Sequence, residues 1–539
     1  MKPLLTKNLK VKFLGITPVL KDETGVLNPQ EIVALSALLT FKGKSIKNLF
    51  KDITKKGGSL KDRISSILQK SSLRGHASIA TTPSLCLNYE GSKFLDSVLT
   101  GIYFSSSLVA SGRRTDTTER DIVFPSQIFS AQKAKKIYKD TSEKIIRFFN
   151  FLLAQKIPKD EASKILQYGI YGTGIIQLPI ETIIGVKREY ELEKEWMPEE
   201  VGILLQKIEK GSKNLGIDRL YSTRLAAPRN VYPYPNIFKD PKKSNLTREL
   251  RGNNPLKGGV KVVSADTSVL GEELKQRLIR LEKKTKEIFS SSANIKKRWL
   301  ELISLRQEIF RDYNLCLKFR VLSAIPWRIW GEKKRHRTCH QIIESIYYCI
   351  DRAGKRISKF SQTIKAKKIN KKIVEEIEEV FSIPPSIKQN QLFLKEYLLT
   401  ALMAFESYKE LISLGIKPRE AIFLVPRGVK IDILQEYDLY NLLTGYYPLR
   451  LCQTAEEEMR RNTIREVSLI KNTLTKKGYN WLNKFIVPKC QIMGFCPEEK
   501  SCGMILSAVK NYNEKFHQEM KMELKKQFEN NLKKLGKNL

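Results

Sequence analysis

The chain has 539 residues, 41% of them apolar, enough for roughly two to four domains with real cores. Lys and Arg outnumber Asp and Glu by 96 to 57, a formal charge of +39, which favours anionic partners. No apolar run nears the roughly 18 residues of a membrane span. The N-terminus starts basic, but its apolar stretch VKFLGITPVL is short, holds Pro18 and is followed by no small-residue cleavage site, so a signal peptide is not expected. Eight cysteines in so long a chain make no disulfide scaffold, so a reducing cytoplasm is expected. The composition, rich in Lys, Ile and Asn, also follows from AT-rich coding. The charge is spread without an RGG tract or a basic low-complexity tail, so nucleic acid is not expected as the main partner.

LKVKFLGIT alternates as a strand ending at Thr17-Pro18. NPQEIVALSALLTF predicts a helix with Asn28 as N-cap and Pro29 at its first position. LRGHASIA, Arg74 to Ala80, precedes PSLCLNYEG, and both this passage and NLCLKFRVL near Cys316 predict strands centred on Leu-Cys-Leu. SGRRTDTTERD carries Arg113 and Arg114, which alone read as a loop salt-bridge cluster. RFFNFLLAQKIPKDEA and ESYKELISLGIKPREA both predict an amphipathic helix followed by a new helix. Phe149 aligns with Tyr408, Ile157 with Ile416 and Glu161-Ala162 with Glu420-Ala421. These echoes predict an internal duplication, with two generic helix-loop-helix stretches as the alternative. APRNVYPYPNIFKDP reads as irregular surface chain, and Gly252 to Gly259 as a breaker. Leu274, Leu278, Leu281 and Ile288 predict long paired helices reaching about Tyr313. From Asn511 a charged helix follows, solvated or docking.

The fold class expected is α+β and helix-rich, with two diverged α/β repeats, antiparallel sheet and inserted long helices. The expected domains are an N-terminal half, 1–240, and a linker with charged helical insertion, 241–310. A C-terminal half, 311–510, and a helical tail, 511–539, complete the chain.

KKRHR, Lys333 to Arg337, is a run of five basic residues, readable as a solvated or nucleic-acid-contacting face. It also sets Arg335 and Arg337 around His336. Forked, permanently charged donors suit phosphate and an anionic ring, and an imidazole can donate, accept or stack. Ser345 follows after seven residues. The pattern RHR-x7-S resembles the signature of the flavin-dependent thymidylate synthases, the ThyX family. The resemblance covers roughly 310 to 505 and part of the first half.

That resemblance implies FAD contacts for Arg335, His336 and Arg337, and a place for Ser345 against dUMP. It puts Glu332 where the family has a base-contacting glutamine, and Asp438 where it has a flavin-contacting asparagine. RLCQTAEEEMRR resembles Ala-Gln-Trp-Glu-Ile-Arg. Its Arg460 matches the arginine that stabilises the uracil ring as N3 loses a proton. By itself Arg460 reads equally as a surface salt bridge. Ile343, Tyr347 and Ile422 stand where the family has a glutamate and two arginines. LRGHASIA resembles the Gly-His-x-Ser segment, which makes His76 and Ser78 cofactor-binding candidates. Arg113 and Arg114 fall where Arg-His-Arg would and are substrate-binding candidates. Each half keeps what the other lost, and a fused pair could build one composite site. The run VPKCQIMGFCPEEKSCG resembles the end of some family members. Cys490, Cys496 and Cys502 with Cys452 are then either a structural zinc set or plain reduced thiols.

The activity implied is reductive methylation of dUMP to dTMP. Methylenetetrahydrofolate gives the carbon, FAD the hydride and NADPH the reducing equivalents. The enzyme would be a homo-oligomer, a dimer of fused halves. Two alternatives stay open: an altered-specificity or silent flavoprotein of that family, and a basic nucleic-acid-binding protein.

Overall fold

The fold, from a computed structural model, is described for residues 3–22, 25–55, 60–74, 76–102, 104–110, 115–227, 235–252, 256–288 and 295–537. It divides into two compact units that interleave in sequence. The first comprises Met1–Ser244, Pro326–Arg335 and Ile343–Ile431; the second Asn245–Ile325, His336–Ile342 and Asp432–Leu539. Helices dominate and the paired strands are chiefly antiparallel, so the class is α+β as expected.

The first sheet has strands β1 (Lys10–Thr17), β2 (Ser84–Ser92), β3 (Ser106–Val109) and β4 (Tyr171–Pro179). Their order is β1-β2-β4-β3, with every neighbour antiparallel. Alternation decides which side chains turn inward: Leu85, Leu87 and Tyr89 of β2 are buried, as are Ile176 and Leu178 opposite them. Tyr89 faces Gly174 because nothing larger fits. A Cβ there would lie 2.8 Å from Val109 and 3.0 Å from the Tyr89 hydroxyl. The predicted helix runs Pro29–Lys42. Asn28 Oδ1 accepts from Glu31 N at 3.1 Å, and Glu31 Oε2 accepts from Asn28 N at 2.8 Å. Such a capping box contributes about 1 kcal/mol.

The second sheet has β5 (Val260–Asp266), β6 (Lys318–Pro326), β7 (Gln341–Ile343) and β8 (Lys430–Asp438) in the order β5-β6-β8-β7. By chain position this is the same order as in the first sheet. Helices Glu272–Ile288 and Ile295–Tyr313 form the expected pair, and Glu514–Lys537 the expected tail. Strand β5 was not foreseen, since the glycine-rich stretch before it was read only as a breaker. The Leu-Cys-Leu expectation fails at Cys316. Asn314–Cys316 is a 3-10 turn, and β6 begins after it. Asn314 holds that turn: its Nδ2 donates to Asp438 at 2.9 Å and its Oδ1 accepts from Tyr440 N at 2.8 Å.

Two segments of the chain follow one plan, residue for residue. The spacing that takes Gln132–Ala154 to Gln391–Ser413 also takes Lys159–Ala162 to Pro418–Ala421 and β4 to β8. Hydrogen bonds repeat with it. Val123 N donates to Gly169 O at 3.0 Å, and Ser382 N to Gly428 O at 2.8 Å. The Tyr138 hydroxyl donates to Val123 O at 2.8 Å, and that of Tyr397 to Ser382 O at 3.0 Å. A second spacing, from Ser84 to Lys318, relates β2 to β6. Under it Lys93 N donates to Ile170 O at 2.9 Å and Trp327 N to Val429 O at 2.7 Å.

Inside the first unit the related segments meet. The long helices Gln132–Ala154 and Gln391–Ser413 pack together, and the Thr141 and Ser407 hydroxyls share a hydrogen bond of 2.9 Å. Gln167 bridges to Pro426, its own related position. A Cβ on Gly169 would stand 2.5 Å from Phe423 O, and one on Gly428 3.1 Å from Lys164 O. Around this meeting point Phe94 stacks on Phe423 at 4.1 Å, and Tyr168 lies 4.3 Å from Trp327. The positions related to these four aromatics hold Arg328, Lys164, Arg427 and Lys93. The Arg427 guanidinium sits 4.7 Å over Tyr168 and donates from Nε to Gln167 O at 3.1 Å, while its buried Nη2 has no hydrogen-bond partner. Burial lowers its pKa to about 10.

Gly169→Ala should therefore cost about 1–3 kcal/mol in urea unfolding. Gly15→Ala, where a Cβ meets nothing within 4 Å, should change stability by less than about 1 kcal/mol.

Two carboxyls give a pH signature. Burial pushes Glu200 up to about 7, against the pull of Ser92, whose N–H donates to it at 2.8 Å. Burial, then Glu199, pushes Glu420 up to about 7. The native state keeps protons that the unfolded chain releases above its ordinary 4.5. The stability these groups provide is full below that pH and falls as pH rises through 7. Urea midpoints should drop from pH 5 to 8, and Glu200→Gln should flatten the drop.

Candidate functional site

In the second unit His336 closes a turn in which Cys339 N donates to His336 O at 3.0 Å. The chain then pairs with β8, where Glu436 N donates to His340 O at 3.0 Å. Arg450 Nε donates to His336 Nε2 at 2.9 Å. A ring nitrogen that accepts carries no proton, so the neutral imidazole keeps its proton on Nδ1. Tyr446 meets the ring edge-on, centroids 4.9 Å apart. It belongs to a buried trio with Tyr437 and Tyr447, at 5.1, 4.8 and 5.1 Å. Glu466 anchors the trio. It accepts from Ser323 Oγ at 2.6 Å, Asn462 Nδ2 at 2.8 Å and the Tyr437 hydroxyl at 3.4 Å. Burial, then the charge of Glu466, drives all three phenols well above their usual range. They are neutral donors and packing surfaces, not bases.

Arg337 is half-buried beside this cluster in sequence. Asp438 is spent on Asn441 and Asn314. It accepts from Asn441 N at 2.9 Å, Asn441 Nδ2 at 2.8 Å and Asn314 Nδ2 at 2.9 Å. Asn441 in turn accepts from Thr338 Oγ1 at 3.0 Å. Asp438 thus shapes the turn Asn441–Gly445. Arg460 lies half-buried on the helix Glu457–Lys476. Among the described residues its guanidinium has no hydrogen-bond or ion-pair partner. The salt bridge goes to its neighbour: Arg461 pairs with Glu457 at 2.7 Å.

The first unit holds the other flavin and nucleotide candidates. Arg335 is exposed, and its N–H donates to Glu332 O at 3.3 Å; Glu332 takes Arg328 at 3.5 Å. Ser345 is fully buried, with Oγ donating to Lys239 O at 2.7 Å. The Tyr347 phenol donates to Trp196 O. His76 and Ser78 are exposed, at the short helix Ser78–Thr81. Arg113 and Arg114 lie outside the described residues, as does Gly75. KKRHR is no simple solvated face: Lys333 and Lys334 are buried. Lys334 Nζ donates to Asp96 O at 3.1 Å and to Ser97 O, and burial drives its pKa well below the usual range.

Cys452, Cys490 and Cys496 are buried and Cys502 is exposed. The Cys490 thiol is pushed up to about 12 by burial and by the other three cysteines. The four thiols are neighbours, but no group of three or more His, Cys, Asp or Glu among the described residues could hold a metal ion. No described helix is long and apolar enough to cross a membrane. Sequence reasoning missed Arg450, Tyr446 and Glu466. The Tyr-Tyr-Pro run was the one available hint; Arg450 and Glu466 gave none.

Residues 317–474 match the family described as thymidylate synthase complementing protein. A flavin-dependent thymidylate synthase of Pyrococcus horikoshii is 32% identical over 127 residues, 23% of this chain and 51% of that protein. One from Thermococcus onnurineus is 28% identical over 145 residues, 26% of this chain and 57% of its own. The chain spans about half the length of the curated relatives it matches. Among solved structures, a UMP/dUMP methylase from Streptomyces cacaoi bound with 5-Br dUMP overlaps at a TM-score of 0.33 and 11% identity, covering 42% of this chain and 100% of that one. The Helicobacter pylori flavin-dependent thymidylate synthase complexed with FAD and dUMP overlaps at 0.27 and 15%, covering 42% and 99%. Overlaps that loose bear no weight. Over residues 317–474 the chain is thus similar to that family, and over about half their length to the flavin-dependent thymidylate synthases.

Nitrogen-15 NMR of the imidazoles should find His336 in the Nδ1-protonated tautomer at neutral pH. Arg450→Met should remove that bias.

Proposed function

We propose that the second unit holds FAD and a pyrimidine nucleotide and that the chain reductively methylates dUMP to dTMP. Methylenetetrahydrofolate would donate the carbon and NADPH the reducing equivalents. The observation that carries this reading is Arg460: a half-buried guanidinium, inside the family segment, with no described partner. A cation kept clear of carboxylates can stabilise negative charge on a pyrimidine. The donor set suits the flavin too. Arg337 and Arg450, beside the His336 imidazole, supply cations for an anionic ring or a diphosphate. FAD would supply the hydride; the protein supplies orientation and charge. Tyr446 and the turn Asn441–Gly445 set the imidazole.

The same reading takes the chain as a fused pair of family-like halves, 1–240 and 311–510, with a helical insertion and a tail. The repeated hydrogen bonds support it. A dimer of such chains in the cytoplasm is the matching assembly.

A second reading, an altered-specificity or silent relative, is favoured by Ser345 and Tyr347. Both spend their hydroxyls on backbone carbonyls, and the buried Ile422 replaces a phosphate-binding arginine.

Purified protein should show flavin absorbance that Arg337→Ala removes. Deuteride transfer to dUMP, or rescue of a thymidine auxotroph, then separates the two readings. A colourless protein that binds RNA with a steep salt dependence would defeat both. Arg460→Gln should leave the flavin absorbance in place and lower turnover by about a hundredfold or more.

A further inference from the structure

A cleft of about 220 Å³ opens in the second unit. Apart from Leu443, every residue lining it lies outside the segment matched to the thymidylate synthase family. Its walls come from the helices Glu272–Ile288 and Ile295–Tyr313 and from the C-terminal stretch between Lys484 and Ala508. Leu281, Phe310, Phe485 and Ile492 make the interior apolar.

Arg306 enters this apolar space. Its Nη2 donates to Leu443 O at 3.4 Å and to the Thr444 hydroxyl. No carboxylate pairs with it among the described residues, and burial lowers its pKa to about 10. The other charged groups in the lining are Glu282, Lys286 and Lys484. The single carboxylate is shared, accepting from Lys286 at 2.8 Å and from Lys484 at 2.5 Å. Three cations therefore face one anion around an apolar cavity. A half-desolvated guanidinium without a counter-charge is costly, and an anion brought by a ligand would relieve that cost.

We propose that this cleft binds a small organic anion. Its compact apolar body fills the space between Leu281, Phe310 and Ile492, and its phosphate or carboxylate group takes the free edge of Arg306. The size suits a single ring. The site is separate from the His336 cluster. It neighbours that cluster through the turn Asn441–Gly445, which Arg306 holds on one side and Tyr446 continues on the other.

The test is calorimetry on the full chain with phenyl phosphate and, separately, benzoate. At least one should bind saturably, one per chain; which one binds identifies the head group. Inorganic phosphate and phenol should each bind at least tenfold more weakly, since each lacks half of the ligand. Arg306→Gln should weaken binding tenfold or more. Ser507→Trp, which fills the mouth from an exposed position, should abolish it. If circular dichroism shows that Arg306→Gln has lost its fold, Ser507→Trp decides. Absence of saturable binding, or affinity unchanged in the folded variants, would overturn the proposal. So would equal binding of inorganic phosphate. The measurement needs neither flavin nor turnover, so its result is independent of the thymidylate synthase reading.

Discussion

The first unit depends on a backbone approach at two glycines. Gly169 lets the chain run against the carbonyl of Phe423, where no side chain fits, and Gly428 lets it run against that of Lys164, where a Cβ would be tight. The Gln167–Pro426 bridge, the packed helix pair and the aromatic centre all follow from that closeness. Where two backbones touch, the surrounding side chains must be shaped to the contact rather than the reverse.

Charge is handled differently in the two units. The first buries cations: Lys93, Lys334 and Arg427 are all sunk among aromatics and carbonyl oxygens, and burial drives all three below their ordinary pKa. The second buries neutral phenols over one carboxylate, Glu466, and leaves Arg337 and Arg460 partly open. His336 belongs to this second style. The motif that reads as three cations in sequence thus holds an imidazole that accepts from a fourth group, Arg450.

Local chemistry was legible wherever both partners sat close in sequence. The Asn28 N-cap, strand β1, the long helix pair and the tail were all read correctly, because period and capping residues lie within a few positions of one another. The Leu-Cys-Leu strand near Cys316 was misplaced because the groups that hold Asn314 in a turn, Asp438 and Tyr440, come more than a hundred positions later. Arg450 and Glu466 were invisible for the same reason. Ser345 and Tyr347 show the opposite case: the motif named the positions, but their partners, Lys239 O and Trp196 O, are backbone atoms that no pattern reveals.

The aromatic and cationic residues at related positions carry a consequence for how such a chain can change. In an assembly of two identical subunits, a substitution near the symmetry axis occurs on both sides at once. A lysine that replaces a phenylalanine there must then face its own copy. Covalent linkage removes that obligation. Phe94 can stay a ring while its counterpart becomes Arg328, and Tyr168 can stack beneath the very residue, Arg427, that stands in its place across the contact. Related segments within one polypeptide can specialise one side at a time, which two identical subunits cannot do.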